Sequence, residues 1–452
     1  MPRKSLALIL AAGEGTRMRS SLPKVMHEVA GRPMLHHVIE VSRNAGCTDV
    51  SVVAGNGFEK VTEFVKSVSP DIDVFEQRER LGTGHAVLAA RAAIEQAPDD
   101  ILVLFGDTPL LEVETLNRIR GHLADGASVV VLGFRTDHPD GYGRLLEDGG
   151  RLLAIREHKD ANEKERKVNF CNGGIMGLAG EHALALLDAI SNENANKEYY
   201  LTDVAEIANS KGLTVVAVEA DETELLGVNT RSDLAHVESI WQSNAREKLL
   251  LSGVSMTSPE TVFLNADTRV DADVVIEPNV VFGANVEVKS GARIRAFSHL
   301  EGAIVGAGAE VGPYARLRPG AVLGEKSKVG NFVELKKANL GEGAKVNHLT
   351  YVGDAEIGAF ANIGAGTITC NYDGHNKHVT HIGANAFVGS NSSLVAPVTI
   401  GDGAYIASGS VITDNVPADG LGIARGKQVN KSGYGAEIRT RNAALKAERS
   451  KK

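Results

Sequence analysis

A glycine loop followed by two cations is the first chemistry this chain offers. It reads Leu10-Ala11-Ala12-Gly13-Glu14-Gly15-Thr16-Arg17-Met18, and Pro23-Lys24 closes it. Glycines let backbone N–H groups approach phosphate oxygens. Arg17 and Lys24 would then neutralise a triphosphate. The loop lacks the Gly-Lys-Ser/Thr ending of a P-loop, so ATP hydrolysis is not implied. It also lacks Gly-x-Gly-x-x-Gly, because Met18 takes the sixth place, which argues against a dinucleotide. Phe105-Gly106-Asp107-Thr108-Pro109 adds a carboxylate at a strand end, where it could hold Mg²⁺ against phosphates. Gly227-Val228-Asn229 offers a second oxygen. Taken alone, Asp107 would as readily make an Asx-turn before Pro109. Beside the glycine loop, the metal reading is the stronger one.

A second set of reactive residue types lies near the other end. Arg316-Leu317-Arg318-Pro319 and Lys336-Lys337 place cations on turns. His348 lies in Asn347-His348-Leu349-Thr350-Tyr351. After Ile368, Cys370-Asn371-Tyr372-Asp373-Gly374 opens an excursion that reaches about Thr380. Such cations suit a phosphate, and an excursion from a regular frame is where function concentrates. His375, His378 and His381 are spaced by three, but no Cys or carboxylate pattern joins them on a helix, so a metal string is not favoured.

Two unlike frames must position these groups. Residues 1–229 alternate strand-like runs (Ser5–Leu10, Val50–Ala54, Ile101–Phe105, Ser128–Phe134, Leu213–Val218) with helical patterns such as Pro33–Ala45, Phe58–Val68 and His85–Ala97. That alternation predicts an α/β domain with a mostly parallel, Rossmann-like sheet covered on both faces. Thr230-Arg231-Ser232-Asp233 matches a capping box, and Leu234, Val237, Ile240, Trp241 and Leu249 suit one helical stripe. Residues 230–251 are therefore expected to be a helical linker, with a final helix of the first domain as the alternative. From 252 on, an apolar residue recurs every six: Leu264, Val270, Ile276, Phe282, Val288, Ile294 and Leu300. The count resumes at Val305 and runs, with a few slips, to Ile406. A period of six predicts a parallel β-helix. Three hexads per triangular coil give seven to eight turns at a spacing of roughly 4.8 Å. Gly433 to Lys452 is rich in Lys, Arg and Ala and is expected to be a flexible tail, ordered if at all by a ligand.

Composition agrees with small-molecule work. Lys+Arg 48 against Asp+Glu 57 gives net −9, which argues against nucleic acid as a partner. Aromatic content is only 5% and there are 49 glycines, which the tight corners and narrow coils of a repeat explain. Cys47, Cys171 and Cys370 are scattered, as expected in the reducing cytoplasm. Arg3 and Lys4 precede a short apolar run, Leu6 to Ala12, but Glu14, Arg17 and Arg19 follow at once, so neither export nor membrane insertion is expected.

Taken together, the motifs resemble known families. Leu10 to Met18 with Pro23-Lys24, then Gly82-Thr83, then Gly106-Asp107 are similar to the sugar-1-phosphate nucleotidyltransferases over most of 5–229. Within them the pattern is nearest the bifunctional bacterial family that makes UDP-N-acetylglucosamine, a precursor of peptidoglycan and lipopolysaccharide. The resemblance implies that Gln77, Gly82 and Thr83 contact uracil, and that Gly143, Glu157 and Asn172 contact the sugar. It implies Mg²⁺ on Asp107 and Asn229. Phe105 stands where the family more often has Tyr, so a nucleotide role for that position is in doubt.

Residues 252–428 resemble the left-handed β-helix acyltransferases through the runs beginning at Asn331, His348, Asn362 and Phe387. This implies a homotrimer using acetyl-CoA, glucosamine 1-phosphate and UTP as co-substrates across the two domains. Arg318, Lys336, Tyr351, Asn362, Asn371 and Tyr372 would bind glucosamine 1-phosphate, and Ala365, Ser390, Ser408 and Arg425 would line the acetyl-CoA site. Ser408 stands where the family often has Ala. His348 would be the general base, since attack by an amine on a thioester requires loss of a proton and imidazole titrates near pH 7. The competing expectation is a nucleotidyltransferase alone, with a coil that only oligomerises or binds a regulator.

Overall fold

The computed structural model describes residues 3–194 and 196–450, which fall into two compact units. The first is the chain up to Leu249 plus Phe263–Asp267. The second is Leu250–Val262 and the chain from Thr268 on.

In the first unit β1 (Ser5–Ala11), β2 (Asp49–Ala54), β3 (Asp73–Glu76) and β4 (Asp100–Phe105) pair in parallel, in the order β4-β1-β2-β3. β1 is buried at every position. Side chains alternate along a strand, so Ala7, Ile9 and Ala11 enter one core, and Leu6, Leu8 and Leu10 enter the other. Helices α1 (Met34–Asn44), α2 (Phe58–Val68), α3 (Thr83–Ala89) and α4 (Val113–Ala124) alternate with these strands. The sequence leads one to expect α3 to run on to Ala97. It stops at Ala89, and a separate turn covers Arg91–Ile94.

The rest of the sheet departs from a plain parallel alternation. β5 (Val129–Arg135) is followed by the antiparallel pair β6 (Arg144–Asp148) and β7 (Arg151–Arg156), then by β8 (Phe170–Ala179). β8 runs antiparallel between β4 and β5, and β9 (Val215–Glu219) lies parallel to β5. The full order is β9-β5-β8-β4-β1-β2-β3. α5 (Asp203–Ser210) packs on β7, and α6 (Arg231–Leu251) closes the series. The capping box forms: Asp233 N–H donates to Thr230 Oγ1 at 3.1 Å, and Thr230 N–H donates to Asp233 Oδ2 at 2.9 Å. α6 up to Leu249 belongs to the first unit by its contacts. Val237 joins a small core with Met18, Val29, Met34 and Val228. Gln242, 3% exposed, bonds both the N–H and the carbonyl of Leu264, which accounts for Phe263–Asp267 counting with this unit.

The second unit is a left-handed parallel β-helix. Its strands are mostly two or three residues long, and each pairs in parallel with one a coil away, as Val275↔Arg293 and Ile294↔Val311 do. Of the six-spaced residues from Leu264 to Ile406, all but Val270 are buried. A second inward row stands two positions earlier; it begins with Val274, Val280 and Val286 and then turns mostly small, with Ala292, Ser298, Ala309, Ala315 and Ala361 among its members. The corners need left-handed backbone, but glycine does not hold them all. Phe297, Tyr314, Phe332 and Leu349 have φ between 51° and 60°, with side chains pointing outward. The tail differs from the flexible segment the composition suggests. Tyr434–Arg449 forms a helix, because Ala, Glu, Lys and Arg are good helix formers, yet it buries no residue. No helix among the described residues is long and apolar enough to cross a membrane.

Candidate functional site

The C-terminal ends of β1, β3 and β4 border a pocket of about 410 Å³. This is where ligands bind in open α/β sheets. Leu10, Ala11, Ala12, Gly13, Lys24, Gln77, Gly82, Thr83, Asp107 and Asn229 all line it, so most of the nucleotide set named from sequence comes together. Gly15 must be glycine: its φ is +63°, and a Cβ there would sit 2.8 Å from Lys24 Cβ. Gln77 is buried, and its Nε2 donates to Gly82 O at 3.2 Å. Gly82 has φ +109°, and a Cβ would meet the Tyr199 carbonyl at 2.5 Å. Thr83 Oγ1 accepts from Leu201 N–H at 3.0 Å.

Lys24 Nζ is ion-paired with Asp107 Oδ2 and lies 3.2 Å from Asn229 Oδ1. Two oxygens thus converge on one cationic atom. Mg²⁺ suits such a donor set, since it takes one or two protein oxygens and completes its shell with phosphates and water. Among the described residues no group of three or more His, Cys, Asp or Glu could hold a metal. Arg17 does not line the pocket. It is exposed, and its charge acts on Asp233. Burial pushes that carboxyl up, but the N–H groups of Asn229 and Thr230, with Arg17, more than offset this and hold it below its ordinary value.

The three residues expected to meet a sugar, Gly143, Glu157 and Asn172, are contiguous. Asn172 N–H donates to Gly143 O at 2.9 Å, and a Cβ on Gly143 would lie 3.4 Å from Asn172 Cβ and 3.6 Å from Glu157 Oε1. Gly143 and Glu157 flank the β6/β7 pair at one end, where Arg144 faces Arg156. Burial pushes the Glu157 carboxyl up, and a bond from Thr202 Oγ1 at 3.2 Å opposes it. Phe105 lines the same pocket and leans on Gly174, where a Cβ would meet its ring at 2.9 Å. Sequence reasoning missed four lining residues, the apolar Val25 and Ala86 and the charged Arg80 and Glu198. Arg80 had a signal in its place just before Gly82-Thr83. Glu198 had none, because only the fold brings the 198–201 segment to α3.

In the β-helix, His348 stands at the head of a row. Asn331 and His348 are register partners, and Asn331 Oδ1 lies 2.7 Å from His348 Nδ1. As an acceptor, Oδ1 fixes the proton on Nδ1 and leaves Nε2 its lone pair. The carbonyls of His348, Ala365 and Ser390 each take an N–H from the next coil, those of Gly366, Asn391 and Gly409. Ala365, Ser390 and Ser408 therefore stack coil by coil beyond His348. The coils approach so closely that a Cβ on Gly389 would meet Ser408 Oγ at 2.7 Å. Arg425 donates to Ser408 O at 2.8 Å. His348 and Asn331 also border a cavity of about 510 Å³ with Arg295, Lys328 and Lys345.

The cations form a second cluster. Arg318 and Lys336 share a row, since Arg316 faces Glu334 in register, and Arg318 donates to Glu334 Oε1 at 2.7 Å. Lys336 meets Lys377 from the excursion loop, and that neighbour lowers its pKa. Two ammonium groups so close call for an anion between them. Asn371 is ion-dipole bonded to Asp354, and its Nδ2 and the Tyr351 hydroxyl both lie over Gly353, where a Cβ would meet them at 2.8 and 2.4 Å. Asp373 pins the loop by accepting from His375 N–H at 2.8 Å, Asn376 N–H at 2.6 Å and His378 Nε2 at 2.8 Å, and those bonds hold its carboxyl far below the usual range. Tyr372 is 60% exposed and bridges Lys377 across the loop, and Asn362 sits on the strand above Lys345.

Comparison with known proteins agrees with both halves. The MobA-like NTP transferase domain family matches residues 7–199, and the bacterial transferase hexapeptide family matches residues 380–414. The "Bifunctional protein GlmU" of Agrobacterium fabrum is 57% identical over 451 residues, covering 100% of both chains. That of Azorhizobium caulinodans is 59% identical over 437 residues, covering 97% of this chain and 98% of the relative. That of Sinorhizobium fredii is 59% identical over 451 residues, covering 100% and 99%. With such identity along its whole length, the chain belongs to the family of the bifunctional GlmU proteins.

Proposed function

We propose that the second unit acetylates glucosamine 1-phosphate with acetyl-CoA and that the first then joins the product to UMP from UTP, giving UDP-N-acetylglucosamine and pyrophosphate. The chain is a bifunctional acetyltransferase and uridylyltransferase, as its family membership supports. The observation that carries the assignment is the pairing in one chain of two unlike sites. One is a phosphate loop with Asp107 and Asn229 converging on a cation; the other is an imidazole with a fixed tautomer on a coil that also holds a cationic cluster.

In the first unit, a phosphate oxygen of N-acetylglucosamine 1-phosphate attacks the α-phosphorus of UTP. The new P–O bond forms as the bond to the β-phosphate breaks, and pyrophosphate leaves. No covalent enzyme group is required, so positioning and charge neutralisation carry the catalysis. The Leu10–Gly13 backbone and Lys24 hold the phosphates, and Arg17 adds positive charge nearby. Gln77, Gly82 and Thr83 hold uracil, and Gly143, Glu157 and Asn172 hold the sugar. Asp107 and Asn229 would hold Mg²⁺, which would supply neutralisation of phosphate charge.

In the second unit, the sugar amine attacks the thioester carbonyl. The C–N bond forms, the C–S bond breaks, and Nε2 of His348 takes the amine proton and returns it to the departing thiolate. Arg318, Lys336 and Lys377 hold the phosphate, with Tyr351, Asn362, Asn371 and Tyr372 around the sugar. The row of Ala365, Ser390 and Ser408, ending at Arg425, lines the acetyl-CoA site. The chain works as a homotrimer through the β-helix. Phe297, Tyr314 and Phe332 support this, because they stack at 4.9 and 5.2 Å while 51%, 48% and 56% exposed. Such an apolar row is better covered than wet. Three free, scattered cysteines support a cytoplasmic location.

The test is mass spectrometry of products from glucosamine 1-phosphate, acetyl-CoA, UTP and Mg²⁺, omitting one component at a time. The full mixture is expected to yield UDP-N-acetylglucosamine, and omission of UTP should stop at the acetylated sugar phosphate. If no acetylated sugar phosphate forms, the chain is a nucleotidyltransferase alone, with the coil serving assembly.

A further inference from the structure

One ion pair bridges the two loops that border the nucleotide pocket. Arg80 Nη1 is paired with Glu14 Oε1. Arg80 stands between Gln77 and Gly82 and lines the pocket with Lys24, Thr83 and Asp107. Glu14 stands between Gly13 and Gly15, in the loop whose N–H groups face phosphate. A carboxylate is out of place there, since it repels the anion the loop is built to accept. The neighbouring Arg78 pairs with Glu76 on its own side, so Arg80 is the cation of this stretch that crosses to the phosphate loop. The side chains of Arg80 and Glu14 are 46% and 52% exposed. An ion pair so exposed contributes little to stability, which makes it a poor brace and an easy one to exchange. A triphosphate offers several anionic oxygens to the same planar fork of donors and is the stronger partner.

We propose that Arg80 is a further nucleotide-binding residue. Glu14 holds its guanidinium at the pocket mouth, and the triphosphate of UTP takes it over on binding. The release also masks the Glu14 charge less, so Glu14 acts as a competitor that the nucleotide must displace. This rests on reading the pocket as the UTP site.

The experiment is steady-state uridylyl transfer by the full chain, following pyrophosphate release with UTP or N-acetylglucosamine 1-phosphate varied. Arg80→Ala is expected to raise KM for UTP about tenfold while KM for the sugar phosphate stays put, the pattern of lost nucleotide binding. Arg80→Lys should recover part of the loss. Glu14→Gln should leave KM for UTP at or below that of the parent. The reversed pair, Glu14→Arg with Arg80→Glu, restores an ion pair but leaves no cation at position 80, and KM for UTP should stay high. An unchanged KM for UTP in Arg80→Ala, or recovery in the reversed pair, would overturn the proposal and make the pair a brace between loops. Absence of uridylyl transfer in the parent chain would instead refute the reading of the pocket itself.

Discussion

His348 takes its direction from a residue that the sequence alone does not point to. The histidine stands out among polar residues on a regular coil, but Asn331 becomes its partner only when adjacent coils are set in register. The same holds for Lys377, an ordinary lysine in an excursion until the fold brings it to Lys336. Legibility at this scale follows chemistry. Gly82, Asp107 and Lys24 could be read because backbone geometry or charge requires those types at those spacings, whereas Glu198 reaches its pocket from a distant segment. Arg17 was legible as a cation, yet its charge acts on Asp233 and it is not in the pocket lining. Replacing Asn331 by Ala removes the acceptor that keeps the proton on Nδ1, so part of the population turns its lone pair away from the substrate. Acetyl transfer, measured as thiol release from acetyl-CoA, is expected to fall on the order of tenfold to a hundredfold, the usual cost of losing a histidine's orienting partner. Uridylyl transfer by the same variant should be unchanged. Full acetyl transfer in Asn331→Ala would remove the orienting role.

Elements were legible where geometry forces a period. A triangular coil returns an inward position every six residues, so the hexads could be counted directly, and the buried row from Ile276 to Ile406 follows them. β8 hid because Gly173, Gly174 and Gly177 erase its alternation. Those glycines are set by packing: a Cβ on Gly177 would meet Ile119 at 2.4 Å, and one on Gly173 would meet Leu225 at 2.6 Å. The capping box of α6 was legible, and it does more than start a helix. Asp233 Oδ2 accepts from Thr230 and also from the N–H of Asn229, at 2.9 Å each, so the cap fixes the backbone of Asn229, a proposed Mg²⁺ ligand. Its carboxyl is held below the ordinary value, so the stabilisation is complete at neutral pH and is lost only as acid titrates the group through that lowered pKa. Asp233→Ala should cost the first unit about 1 kcal/mol. Its unfolding midpoint should drop by about 2–4 °C in calorimetry at pH 7. The Mg²⁺ concentration needed for half-maximal uridylyl transfer should rise in the same variant. An altered midpoint with an unaltered Mg²⁺ requirement would confine Asp233 to helix capping.

At the scale of the molecule, the change of period from alternating elements to hexads announced two machines, and contacts divide the chain near Leu249. The exchange of Phe263–Asp267 to the first unit was not legible, because Leu264 fits the hexad count while Gln242 holds its backbone and Ala266 N–H bonds Ala30 O at 2.9 Å. Two proposed sites whose named residues come from separate units have a consequence for flux. The acetylated sugar phosphate must leave one set of residues and meet the other, and nothing in either site requires both to belong to the same polypeptide. Asp107→Ala removes a proposed Mg²⁺ ligand but leaves the His348 row intact. His348→Ala removes the proposed base but leaves the glycine loop intact. Neither variant alone should convert glucosamine 1-phosphate to UDP-N-acetylglucosamine at more than a trace. Mixed in equal amounts with acetyl-CoA, UTP and Mg²⁺, they should form it after a lag while the intermediate accumulates, and the lag should shorten as total enzyme is raised. The decisive control is that each variant retains its own half-reaction. A mixture that stays inert while both half-reactions persist would mean that the intermediate is not free to pass between chains, and that the two units act as one site.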